Sequence, residues 1–355
     1  MLTIQQMLQN VIDKKASDLH IVAGSKPLIR IDGELIAIPS EVELTENSAM
    51  TLLSGVMSPE QKQLFEVNKE LDFSFAFGTA ARFRANGYYQ KGTPAGSFRL
   101  ITTIIPTIED LGLPKVCHQF ATLKQGFVLV TGPTGQGKST TLAAILDEIN
   151  ATRQVHMVTI EDPIEYVYKP KKALISQREL HNDTHSWDLA LKAVLREDPD
   201  VVLIGEMRDY ETISAAMTIA ETGHLVFATL HTGSAVQTID RIIDVFPERS
   251  QSQARLMLSE NLEAVFSQRL LPKKTGGRTV AYEVLIGSPA VKSAVRESRT
   301  HMVGNIIQTS LEYGMITLEN SLAKLVNAGT VDLQVALAVA DNPEELTRLC
   351  TTSKE

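Results

Sequence analysis

Residues 126–150 read GFVLVTGPTGQGKSTTLAAILDEIN, and most of the fold follows from how this stretch is read. Phe127–Val130 is an unbroken apolar run, as expected of a short strand buried on both faces. It runs into GPTGQGKS at 132–139, a full match to G-x-x-x-x-G-K-[ST], and then into the helical pattern KSTTLAAILDEIN. Glycines in such a loop let backbone N–H groups converge on phosphate oxygens, helped by the positive end of the following helix. The expected phosphate-binding residues are therefore Gly132, Pro133, Thr134, Gly135, Gln136, Gly137, Lys138, Ser139 and Thr140. Lys138 is expected to reach the β- and γ-phosphates of ATP, and the Ser139 hydroxyl to hold Mg²⁺. A chance glycine-rich turn is the bland alternative. The strand before the loop and the helix after it speak against that.

Downstream, the apolar runs HMVTI (156–160), DVVLI (200–204) and HLVFATL (224–230) alternate with helical stretches around 186–196 and 210–222. That alternation predicts an α/β domain with a parallel sheet covered on both faces, whose ligands gather at the C-terminal ends of the strands. DVVLIGEMRD places Glu206 at such an end, as a candidate to orient or deprotonate water. Gly205 stands where a Walker B aspartate is usual, and Asp200 lies at the opposite end of the strand. TIEDPIE adds Glu161, Asp162 and Glu165, expected to hold water in the Mg²⁺ shell in place of the missing aspartate. His224 precedes the strand LVFATL and His231 follows it, the latter being the better placed to sense a γ-phosphate. His181 and His185 in HNDTH lack the glutamate of a zinc helix, so no metal is expected there. From Ser288 onward the pattern is helical to the end.

Upstream lies a different texture. Ile4, Met7, Leu8, Val11 and Ile12 recur at helical spacing, followed by the strand-like runs DLHIV, PLIRI and ELIAI, with an Asp32–Gly33 turn joining the last two. One or two helices between Glu43 and Val67 precede the strands DFSFAF, ARFRANGYYQ and AGSFRLI. Arg84 and Arg99 fall on neighbouring strands of this small α+β domain. An arginine carried by a separate domain suits the stabilisation of charge on a transferred phosphoryl group, although strand arginines more often simply face solvent. Pro106, Gly112 and Pro114 mark a linker. The expected organisation is an N-terminal domain over 1–105, a linker over 106–125, an ATPase domain over 126–287 and its helical C-terminal region over 288–355.

The 355 residues are 43% apolar and 21% charged with a net charge of −8, which disfavours a protein devoted to gripping nucleic-acid phosphates. Two cysteines, Cys117 and Cys350, allow neither a disulfide framework nor a cysteine metal module. The opening MLTIQQMLQN has no basic segment followed by an apolar core, and no apolar run reaches the ~20 residues of a transmembrane helix. A cytoplasmic protein, peripheral to any membrane it serves, is expected.

In order, ASDLH, RFRAN, FRL, GPTGQGKSTTLAA, TIEDPIEY, LREDPDVVLIGEMRD and AETGHLVFATLHT resemble the secretion and pilus ATPases, and within them the retraction motors of type IV pili. The resemblance runs from about residue 3 to about residue 340. It implies a RecA-like ATPase domain, a PAS-like N-terminal domain and a homohexameric ring at the cytoplasmic face of the inner membrane, working with a pilus platform protein. It also implies Lys138 and Ser139 as Walker A residues and Glu206 as general base. Glu161, Asp162 and Glu165 fall in an acidic box, His224 and His231 in a histidine box, and Arg84 and Arg99 on phosphate-facing arginines. Where retraction motors carry a helix reading AIRNLIRE, this chain has AVKSAVRE over 290–297. A regulatory or assembly-type ring of the same family, or a nucleic-acid translocase, are the alternatives.

Overall fold

The computed structural model describes residues 2–31, 33–39, 41–78, 81–101 and 104–352. The chain divides into two compact units, Met1–Ile104 with Glu165–Val167, and Ile105–Ile164 with Tyr168–Glu355.

In the first unit, α1 (Ile4–Asp13), β1 (Asp18–Val22), β2 (Leu28–Ile31), β3 (Glu34–Ala37), α2 (Glu46–Ser54), α3 (Pro59–Asn68), β4 (Glu70–Phe77), β5 (Ala81–Gln90) and β6 (Thr93–Ile101) follow in order. The strands form one antiparallel sheet, β3-β2-β1-β6-β5-β4. Thr3 opens α1 with a capping box to Gln6, which satisfies two of the helix's free amide ends. Ile4, Met7, Leu8 and Val11 of α1 bury against Leu19, Ile29 and Phe98 of the sheet. An antiparallel sheet with helices packed on its apolar face is compatible with the PAS-like expectation. Asp32 lies outside the described residues, and the strands either side of it pair with Ile31 opposite Glu34.

The second unit contains α4 (Val116–Thr122), β7 (Gly126–Thr131), α5 (Lys138–Thr152), β8 (His156–Glu161), β9 (Leu174–Glu179), α6 (Trp187–Val194), β10 (Val201–Ile204), α7 (Tyr210–Glu221) and β11 (Leu225–Leu230). There follow α8 (Ala235–Asp244), α9 (Glu248–Asn261), β12 (Leu262–Pro272), β13 (Arg278–Ile286) and the helices α10 (Pro289–Arg296), α11 (Val303–Thr309), α12 (Leu318–Asn327), α13 (Leu333–Leu337) and α14 (Pro343–Thr352). Its sheet runs β13-β12-β7-β11-β10-β8-β9. All neighbouring pairs are parallel except β12–β13, so the expected parallel sheet carries one antiparallel edge strand. Phe127 and Leu129 of β7 join the core built with α6 to α10, while Val128 and Val130 are equally buried on the other face. Helices α12 to α14 close over Leu271 and Ala281 of the β12–β13 hairpin.

The stretch expected as a linker, 106–125, belongs to the second unit. Its Ile108, Val116, Cys117, Phe120 and Ala121 are buried, and α4 packs on α5. Prolines and a glycine there shape a turn before a short docked helix rather than a free tether. Burial pushes the Cys117 thiol up to about 12, which keeps it unreactive.

Glu283 of β13 is enclosed near Asp341 and Glu319, and its carboxylate accepts a 2.7 Å bond from the Ala235 amide at the start of α8. Burial, and then the neighbouring acids, push its carboxyl up to about 7 against the bond from Ala235 and the pull of Arg269. A raised acid binds its proton more tightly when folded, so its contribution is complete below an unfolded value near 4.5 and is lost as pH rises through about 7. Glu283→Gln is therefore expected to melt like the wild type at pH 4 and to be more stable by about 3 kcal/mol at pH 8. Thermal melts at the two pH values test this, and an equal difference at both would sink it.

Candidate active site

The sheet registers bring several chain segments to one edge. Thr131 of β7 lies opposite Leu230 of β11, Ala228 opposite Ile204 of β10, and Ile204 opposite Ile160 of β8. The loop after β7, the loop after β11, the Gly205–Arg208 turn and Glu161 therefore share the C-terminal edge.

The glycine loop is built for a closely approaching ligand. Gly132, Gly135 and Gly137 have φ of 142°, 78° and 85°, which only glycine adopts freely. A side chain on Gly132 would lie 2.5 Å from the carbonyl oxygen of Gln268. α5 starts without a side-chain cap, leaving its first amides for an external acceptor. Lys138 is buried, with its ammonium 2.8 Å from the Gly132 carbonyl and 3.1 Å from that of Pro133. Ser139 occupies the second position of α5, where its hydroxyl fits a cation bound beside phosphates. The donor set suits a polyphosphate with its divalent cation.

Glu206 is held in place by its neighbours on both sides. The Thr229 hydroxyl donates to the Gly205 carbonyl at 2.6 Å, and the Met207 amide donates to the Thr229 carbonyl at 3.0 Å. Arg208 clasps the carboxylate with Nε to Oε1 and a terminal nitrogen to Oε2, both at 2.8 Å. His231 Nε2 lies 2.6 Å from the same Oε1. Its Nδ1 is 3.4 Å from both the Lys138 ammonium and the Thr134 hydroxyl. Burial alone would raise the Glu206 carboxyl. The paired bonds and charge of Arg208, together with the His231 contact, outweigh it and hold the group below the ordinary glutamate range. Oε2 keeps room for a further donor, as a base facing water requires.

Glu161 is buried and accepts from the Thr159 hydroxyl at 2.6 Å and the Gln177 amide at 3.3 Å. A side chain on Gly205 would meet Glu161 Cα at 3.2 Å and the Ile160 carbonyl at 3.3 Å, so the usual aspartate would fit only tightly against β8. Asp162 is exposed and lines a cavity of about 190 Å³ with Trp187, Glu206, Arg208, Asp209 and Thr212.

Other expected site residues lie on other elements. His224 sits at the start of β11, its carbonyl accepting from the Gly126 amide, so a strand's length separates it from the phosphate loop. Its Nδ1 faces the Thr222 hydroxyl at 3.0 Å and the Ile219 carbonyl at 3.1 Å, a structural use. Glu165 is exposed and groups with the first unit. Arg84 and Arg99 face each other across β5 and β6 in the first unit. Arg99 pairs with Asp18 at 2.9 Å and Arg84 with Asp72 at 3.8 Å, and both guanidiniums remain largely exposed. Missed from the sequence were Arg208, visible in GEMRD but passed over, and the polar residues inside the apolar run AVFSQRLL.

The family model for type II/IV secretion system proteins matches residues 1–335. The chain belongs to that family. Among secretion-system relatives, the type IV pilus retraction ATPase PilT of Pseudomonas aeruginosa is 46% identical over 343 residues, covering 96% of this chain and 99% of its own. The type IV pilus ATPase PilU of the same organism is 38% identical, covering 96% and 90%. A crystal structure of the pilus retraction motor PilT with bound ADP superimposes with a TM-score of 0.93 at 44% identity, covering 98% of this chain and all of that one. The structure of the ATPase DotB of Legionella pneumophila superimposes with a TM-score of 0.84 at 26% identity, covering 95% and 96%. Among the described residues no helix is long and apolar enough to cross a membrane.

Proposed function

We propose that this chain is a Mg²⁺-dependent ATPase that powers retraction of a type IV pilus. The observation that carries the reading is the meeting of Lys138, His231 and Glu206 at one sheet edge, in a chain 46% identical to a retraction ATPase along nearly its whole length.

Lys138 and the loop amides bind the phosphates of ATP, and Ser139 holds the ion. Mg²⁺ held there would supply charge neutralisation for the phosphate oxygens during transfer of the γ-phosphoryl group. Glu206 orients the attacking water through Oε2 and takes its proton. Arg208 and His231 hold the carboxylate in that pose, and His231 also spans to Lys138, so that the base and the phosphate-binding lysine sit on one chain of polar contacts. Asp162 and Glu161 are the proposed acidic neighbours of the ion's water shell. Arg84 and Arg99 are the proposed phosphate-facing arginines, a role supported by their exposed guanidiniums. The working form is proposed to be a homohexamer docked on an inner-membrane platform protein at the cytoplasmic face.

Deleting the gene is expected to leave cells with excess, immobile pili and no twitching, counted by electron microscopy and motility assay. Bald cells would instead assign the chain to pilus assembly, and unchanged piliation and motility would remove it from pilus work.

A further inference from the structure

Strand β12 is a largely apolar element interrupted by three residues, Ser267-Gln268-Arg269. Ser267 and Gln268 are 2% and 1% exposed. Polar groups buried this deeply in a sheet need partners, and here the partners lie on the two loops of the candidate site. The Ser267 and Thr131 hydroxyls are 2.6 Å apart where β7 enters the glycine loop. The Gln268 amide donates to the Gln136 carbonyl at 2.6 Å, and the Gln136 side chain in return accepts from the Leu270 amide at 2.6 Å. Arg269 donates to the Gly233 carbonyl at 3.0 Å, two residues beyond His231. The side-chain oxygen of Gln268 has no partner, so its contact with the glycine loop is what orients the amide. The loop is also pressed onto this segment, because a side chain on Gly137 would meet Gln268 Nε2 and Leu270 Cδ1 at 3.3 Å.

We infer that Gln268 and Arg269 are positioning residues of the nucleotide site: Gln268 fixes the glycine loop, Arg269 fixes the loop bearing His231, and their common strand sets the two loops in register. The physical need is plain. Three glycines with positive φ give the phosphate loop wide freedom, and an unconstrained loop must be ordered at the cost of affinity each time nucleotide binds. Reciprocal bonds to Gln136 pre-order it. Arg269, adjacent in sequence, then reaches the opposite wall, so the geometry of the loop and that of His231 cannot drift independently. Gln268 acts on binding, and Arg269 acts on turnover through the Glu206–His231 contact.

This rests on the nucleotide reading above, and its test keeps the two apart. With the full chain, equilibrium binding of a fluorescent ADP analogue and steady-state ATP hydrolysis are measured for the wild type, Gln136→Ala, Gln268→Leu, Gln268→Glu and the Gln136→Ala/Gln268→Leu double variant. Absence of nucleotide binding by the wild type would overturn the reading itself. Given wild-type binding, each single variant is expected to bind about tenfold more weakly, the loss of one well-made buried hydrogen bond. For the Gln268 variants the rate at saturating ATP should stay within about threefold, a split that general loss of structure would not produce. The double variant is expected to bind more weakly than either single, because Gln136→Ala removes the bond from the Leu270 amide and Gln268→Leu the separate bond to the Gln136 main-chain carbonyl. Gln268→Glu keeps the volume but turns the donor toward Gln136 into an acceptor, and it covers the case in which the leucine variant does not fold. Arg269→Gln is expected to show the opposite split, a rate about tenfold lower with affinity within about threefold. Wild-type affinity in either Gln268 variant, wild-type affinity in the double, or equal loss of affinity and rate in Arg269→Gln would overturn the inference.

Discussion

Replacing Glu206 by glutamine is expected to leave ATP bound and reduce its hydrolysis by about 10²–10⁴-fold, the range over which a positioned general base acts. Glutamine keeps the length and shape of the side chain and still offers an oxygen to Arg208 and His231, so the turn between Gly205 and Arg208 need not move. What it lacks is the charge that accepts the water proton. Binding of labelled ATP with no release of phosphate, measured on the same preparation, checks both halves. Hydrolysis at the wild-type rate would assign the base elsewhere, with Glu161 the next candidate on the same sheet edge.

Lys138→Ala is expected to act one step earlier. The ammonium is buried at the mouth of the loop between the Gly132 and Pro133 carbonyls, where water screens it poorly. Removing one partner of a buried, hydrogen-bonded charge pair costs about 2–5 kcal/mol, which corresponds to affinity falling by roughly thirtyfold or more. Turnover at cellular ATP should vanish with it. Titration with ATP by calorimetry would show the loss, and an unchanged dissociation constant would mean that the phosphates do not lie at this loop.

The sequence made the catalytic unit legible where local pattern and function coincide. The run from Phe127 to Ser139 can be little other than strand, loop and helix end, and Glu206 follows from its place after an apolar strand. Less legible were residues whose role depends on strand order. β11 lies between β7 and β10, so His231 is brought to the phosphate loop while His224, at the other end of the same strand, is carried away from it. Spacing along the chain treats the two histidines alike, and only the parallel register separates them. Gln268 and Glu283 carried a readable signal, since each interrupts an apolar strand and must find a partner. Which partner it finds depends on a hairpin added at the sheet's edge, beyond the βα alternation that announced the fold.

Gly205 bears on the descent of such proteins. Its amide is tied to the Ile160 carbonyl at 2.8 Å, and a β-carbon there would sit 3.2 Å from Glu161 Cα and 3.3 Å from the Ile160 carbonyl. A lineage with this glycine regains the common aspartate only as far as the neighbouring strand gives way, and close-packed interiors give way at a cost. Reversion at 205 thus carries a packing cost set by how far β8 can move.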